Sequence, residues 1–228
     1  MQSNHIILKI CHLSQSLNNN LILKDVNLNF QSGKIYGLVG TNGSGKTTLM
    51  KSILGLNYVD SGQIIFKEIN IENGQHEIQR AQIGSLIEEP LFPNNYTVQQ
   101  VLAEQQALLK VKVTRNYLDK LLLLLGLNRK LETKVKNLSL GWRKKLGILR
   151  AICNFPQLLL LDEPFNGLDR LSVHQVEEIL TFLAQQNTCI VIASHLIQQL
   201  QELGAELYWV KNQQISLLRR ADKRLADY

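Results

Sequence analysis

The clearest chemistry lies in Gly40-Thr41-Asn42-Gly43-Ser44-Gly45-Lys46-Thr47-Thr48, which satisfies G-x-x-x-x-G-K-[ST] with no residue forced. Glycines let successive backbone N–H groups turn inward around an anion with no Cβ in the way. A helix starting directly afterwards would aim its unpaired N–H groups and the positive end of its dipole at the same anion. Lys46 is then expected to reach the β- and γ-phosphates of a nucleotide. The Thr47 hydroxyl is expected to ligate Mg²⁺, and Thr48 to support the turn.

A second element fits the first. Leu158-Leu159-Leu160-Leu161-Asp162-Glu163-Pro164 is an apolar run ending in two acids. Alone it would read as a strand followed by a solvated turn. With a phosphate loop upstream, Mg²⁺ needs an oxygen ligand at the carboxyl end of a neighbouring strand. Asp162 is the expected ligand, through water, and Glu163 is placed to take a proton from an attacking water.

These residues need a scaffold. Ile35–Val39 is a short apolar run leading into the glycines, and Leu49–Leu56 continues at helical spacing. Ile83–Ile87, Leu158–Leu161 and Cys189–Ala193 read as further buried strands. Alternation of such runs with helical segments predicts an α/β fold with a mainly parallel sheet. Ile6–Ile10, Val26–Phe30 and Ile64–Phe66, separated by the turn signals Ser32-Gly33 and Ser61-Gly62, read as an antiparallel edge sheet. From about Thr97 to Phe155 the strand signal disappears. Thr97–Lys110, Thr114–Leu125 and Ser139–Asn154 read as helices there. The expectation is one domain over 1–228, its β core formed by 1–87 and 155–228, with 88–154 inserted as a helical subdomain. The last strands are expected at Glu206–Val210 and Gln214–Leu217, which leaves no room for an appended regulatory domain.

Three further elements, in order along the chain, make the sequence resemble the ATP-binding-cassette ATPases over essentially its whole length. Leu138-Ser139-Leu140-Gly141-Trp142 resembles the family signature in an L-S-x-G form, which in the family contacts the γ-phosphate of ATP held by the opposite subunit. Arg143, Lys144 and Lys145 follow in the first turn of that helix, where acids are normally favoured, so an anion docking nearby is expected. Asn166-Gly167-Leu168-Asp169 is similar to the loop that signals across the dimer. His195, after Cys189–Ala193 and Ser194, matches the switch histidine that hydrogen-bonds the γ-phosphate. The resemblance implies a P-loop NTPase (RecA-like) core that binds ATP and Mg²⁺. It also implies a pair of copies enclosing two ATP molecules, each site built from Gly40–Thr48 of one chain and Ser139, Leu140 and Gly141 of the other. A separate transmembrane permease and a peripheral position on the cytoplasmic side of the membrane are implied as well.

Two departures carry information. Glu88, followed by Glu89, stands where the family usually has glutamine. A carboxylate there would bind metal more strongly than an amide but would repel the γ-phosphate. Ile83–Glu88 followed by Pro90, with the L-S-L-G signature, resembles the subgroup that exports bacitracin-like and lantibiotic peptides, often for self-protection. Glu88 joins Thr47 and Asp162 as an expected metal or metal-water contact. The family also places an aromatic residue near Ser16–Asn18 to stack on adenine; here Leu17 stands there and no aromatic occurs from Cys11 to Lys24. Loose base selectivity is expected, with GTP able to substitute for ATP.

Composition bounds the alternatives. No stretch approaches the ~18 consecutive apolar residues of a membrane span, and Met1–Lys9 does not read as a signal peptide. Cys11, Cys153 and Cys189 are scattered without C-x-x-C spacing, which predicts reduced thiols and no zinc site. The net charge of +6 owes much to Lys211, Arg219-Arg220 and Lys223-Arg224, a tail that suits anionic headgroups as well as nucleic acid. An ATPase acting on nucleic acid or ribosomes is the rival reading. Long coiled coils or a second cassette would mark it, and neither is present, so no direct nucleic-acid partner is expected. A P-loop kinase or GTPase switch leaves the L-S-L-G helix and His195 unexplained.

Overall fold

The computed structural model describes residues 5–71, 76–109 and 114–218; the basic tail at 219–228 lies outside them. Continuous apolar runs become the strands of a six-stranded sheet in the order β10-β9-β3-β8-β7-β6. These are β3 (Ile35–Val39), β6 (Ile83–Leu86), β7 (Leu158–Asp162), β8 (Cys189–Ala193), β9 (Glu206–Lys211) and β10 (Gln214–Leu217). All neighbours run parallel except β10 against β9. Every residue of β3, β7 and β8 is buried, because both faces of the sheet are covered.

The period of two divides these strands between two cores. Tyr36, Leu38, Leu158, Leu160, Cys189 and Val191 face one core, shared with a second sheet and with helix α1 (Lys46–Ile53). Ile35, Val39, Leu159, Leu161, Ile190 and Ile192 face the other, built with helices. The second sheet is antiparallel, in the order β2-β1-β4-β5, from β1 (Ile6–Leu17), β2 (Asn20–Gln31), β4 (Ser61–Phe66) and β5 (Ile69–Asn70).

That sheet is the expected antiparallel one, forming a layer of its own. It differs from expectation in that its first two strands are 12 residues each, far longer than the apolar stretches that announced them. They meet at Asn18-Asn19, both at positive φ, the conformation a tight two-residue hairpin demands. Register shifts between Ile10 and Leu13 and between Leu13 and Gln15 break the apolar alternation that would have shown their length.

Between β6 and β7 the described residues hold helices, short 3-10 turns and one isolated bridge, Thr97 to Lys134. The three helices are α3 (Val98–Leu109), α4 (Arg115–Leu124) and α5 (Leu140–Ile152), each within two residues of its expected bounds. The remaining helices are α2 (Glu77–Arg80), α6 (Arg170–Gln185) and α7 (Ile197–Glu202). α5 lies close on β6 because Gly84 and Gly147 face each other's elements. A Cβ at Gly84 would meet the Ala151 carbonyl, and one at Gly147 would meet Leu86 and Pro90.

Candidate active site

The carboxyl ends of β3, β6 and β7 and the start of α1 open on a cleft of about 530 Å³. Asn42 through Thr48 line it, and Gly43 and Gly45 hold the left-handed backbone that turns the loop. Lys46 is buried and donates from Nζ to the Gly40 carbonyl at 2.7 Å and the Thr41 carbonyl at 3.0 Å. Its ammonium is thus held over the loop, where a ligand with better acceptors can take it. Ser44 Oγ is buried without a hydrogen-bond partner among the described residues. An orphaned hydroxyl, a buried cation and inward-turned amides together fit a polyanion.

Thr47 lies one residue on. Its Oγ1 donates to Asp162 Oδ2 at 2.6 Å, so a hydroxyl from α1 and a carboxylate from β7 already converge. Two oxygen donors, with phosphates and water to complete the shell, suit Mg²⁺. Burial pushes the Asp162 carboxyl above the ordinary carboxylate range. The adjacent Glu163 charge adds to this, while Thr47, Lys46 and Lys144 oppose it. Burial likewise pushes Lys46 below the ordinary lysine range, against the pull of Glu163 and Asp162. A bound cation and anion would relieve both strains.

Glu163 adopts φ 46, and its backbone N–H donates to the Ala193 carbonyl at 2.9 Å, which fixes its place beside β8. Its carboxylate is cradled from that strand's end. Ser194 Oγ donates to Oε2 at 3.2 Å, the His195 backbone N–H donates to Oε1 at 3.2 Å, and His195 Nδ1 lies 2.8 Å from Oε1. His195 therefore joins the site through Glu163 and does not itself line the cleft.

The other expected residues divide. Glu88 lines the cleft and pairs with Lys51. Leu140 lines it from the chain's own α5, while Ser139 caps that helix, accepting from the Trp142 backbone N–H at 3.4 Å. Gly141 packs beside the Gly167 carbonyl. Asp169 caps α6, with Oδ1 accepting from the Ser172 N–H at 2.7 Å. Leu17 and Ile22, on either side of the hairpin turn, form an aliphatic wall where the sequence already lacked an aromatic residue.

Of the three cations expected to attract an anion, Arg143, Lys144 and Lys145, Lys144 is the one that lines the cleft. Arg143 Nε donates to the Leu138 carbonyl. Lys145 donates to Gln175 and lies over the Trp142 ring. Lys144, buried and pushed below its ordinary range by that burial, faces Glu89, Asp162 and Glu163 within the cleft. Lys144 and Glu89 are members of this site that the motifs did not announce. A basic residue one turn into a capped helix was the available signal, but its direction needed the fold.

A family model described as ABC transporter matches residues 23–166. The chain is 36% identical over 203 residues to the bacitracin transport ATP-binding protein BcrA of Bacillus licheniformis, covering 86% of this chain and 64% of that protein. It is 34% identical over 216 residues to the lantibiotic transport ATP-binding protein SrtF of Streptococcus pyogenes, covering 95% and 92%. A solved structure described as the ATP binding subunit of an ABC transporter superposes with a TM-score of 0.86 at 24% identity, over 96% of this chain and 93% of that one. At that identity the likeness speaks for the fold.

Proposed function

The chain belongs to the ABC transporter family, and from that membership we propose that it binds ATP at Gly40–Thr48 and hydrolyses it to drive a separate membrane permease. The observation that carries the site assignment is the 2.6 Å meeting of Thr47 and Asp162 in a cleft that also holds Lys46 and Glu163. Thr47 and Asp162 would hold Mg²⁺, and Glu88 lines the same cleft. Bound there, the metal supplies neutralisation of phosphate charge.

The chain's own groups do the rest. Lys46 exchanges its two carbonyl acceptors for β- and γ-phosphate oxygens, and the loop amides and Ser44 take the remaining ones. Glu163 accepts the proton of the attacking water on its carboxylate. Ser194 and His195 hold that carboxylate in one orientation, and His195 turns to the γ-phosphate once the cleft fills. Two copies close over two nucleotides, with Ser139, Leu140 and Gly141 of one facing the phosphates of the other and Asp169 at the junction. Relatives named for bacitracin and lantibiotic transport support a peptide or hydrophobic antimicrobial compound as cargo, and we take its movement to be outward. No helix among the described residues is long and apolar enough to cross a membrane. The relatives give the nucleic-acid alternative no support.

Glu163→Gln tests the core of this reading. Turnover should fall by at least about 100-fold, the contribution of a positioned base, while MgATP stays bound and the protein runs as an ATP-dependent dimer on size exclusion. Full turnover in this variant would remove Glu163 from the base role.

A further inference from the structure

Glu88 sets a problem that the site's other residues do not solve. It lies just past the end of β6, beside the Asp162 end of β7, and lines the cleft in which a polyanion is to sit. A bare carboxylate there works against that ligand. Its backbone is also left-handed, φ 63, a conformation that a side-chain-bearing residue keeps only when its surroundings hold it.

Its side chain pairs with Lys51, whose Nζ is 2.5 Å from Glu88 Oε1. Lys51 lies on α1, four residues after Thr47, so the two share one face of the helix that follows the phosphate loop. That face presents a hydroxyl to Asp162 and, one turn on, an ammonium to Glu88. The same short helix thus engages the acids at the ends of two adjacent strands. We propose that Lys51 is a positioning residue for the nucleotide reaction. It neutralises and orients Glu88, making an acid compatible with phosphates at a place where an amide would need no partner.

This rests on the nucleotide reading above. It differs from the ordinary meaning of an ion pair. Glu88 is 63% exposed and Lys51 30%, so the pair adds little to folding, and its effect belongs to ligand affinity.

The experiment is a double-mutant cycle on the purified full chain, read by equilibrium binding of a fluorescent, slowly hydrolysed ATP analogue with Mg²⁺. Lys51→Met should weaken binding by about fivefold, from the lost positive charge and from a carboxylate left free to turn toward the phosphates. In a Glu88→Gln background the same substitution should cost about twofold or less, since no carboxylate is left to turn. Lys51→Arg should restore affinity, and turnover by Lys51→Met should show a raised KM with a smaller change in kcat. Melting temperatures should stay within about 3 °C of the parent, as for an exposed pair. Should Lys51→Met fold poorly, Lys51→Gln carries the same comparison. An equal loss in both backgrounds, or no loss in either, overturns the proposal. Failure of the unsubstituted protein to bind the analogue overturns the nucleotide reading itself.

Discussion

A nucleotide site made of loop amides and one lysine grips phosphates well and bases poorly. The walls near the hairpin turn are Leu17 and Ile22. Aliphatic contact does not distinguish adenine from guanine by stacking, so selectivity must come from elsewhere or be weak. Leu17→Tyr should tighten ATP binding by about fivefold or more, the low end of a base–aromatic stack. Competition between ATP and GTP for the fluorescent analogue checks it, and an unchanged affinity would show that the base does not lie against this wall. At this scale the sequence was most legible where residue types alone impose chemistry. Gly40–Thr48 and Asp162-Glu163 are each an unbroken stretch of the chain, so residue types alone mark them. Lys51 and Lys144 were opaque because their partners, Glu88, Glu89 and Asp162, come from distant parts of the chain.

Helix ends show the same split at the next scale. Ser139 and Asp169 stand in the two motifs that drew attention to them, and each caps its own helix. The Ser172 backbone N–H holds the Asp169 carboxyl below the ordinary carboxylate range. A depressed folded-state pKa means stability that is present above the unfolded value and is lost as pH falls through the folded one. Asp169→Ala should therefore lower the melting temperature at neutral pH and cost progressively less in acid. Asp169→Asn should retain part of the cap throughout. A loss independent of pH would show that the carboxylate charge is not what the helix uses. Elements with uniform surroundings, such as β3, β7, β8 and α3 to α5, followed from periodicity almost to the residue. The hairpin of β1 and β2 did not, because register shifts interrupt its alternation and its turn is Asn18-Asn19 rather than a glycine pair.

On the scale of the molecule, two cores share one sheet, and the joint between β6 and α5 decides how closely the helices of the second core approach it. Gly84→Ala would drive a Cβ into the Ala151 backbone carbonyl, which no rotamer change can relieve. The cost should be about 1–3 kcal/mol, a fall of roughly 3–10 °C in melting temperature for a chain of this size. Thermal unfolding checks it, and an unchanged midpoint would mean that the helix can shift freely on its strand. The spatial order of the strands was the least legible feature. β8 inserts between β3 and β7, so the phosphate loop and the two acids come together only across a strand made later in the chain.

The excursion of α3 to α5 leaves the sheet at Glu88, beside the phosphate cleft, and comes back at the opposite rim. There the Gln157 N–H is bound to the Gln82 carbonyl and the Gln157 carbonyl to the Cys189 N–H. The returning end is bolted into the ladder on both sides, while the departing end is tied to α1 by the Lys51 ammonium. The two ends of the helical excursion are thus held differently, by backbone ladder hydrogen bonds at one and by a side-chain ion pair at the other.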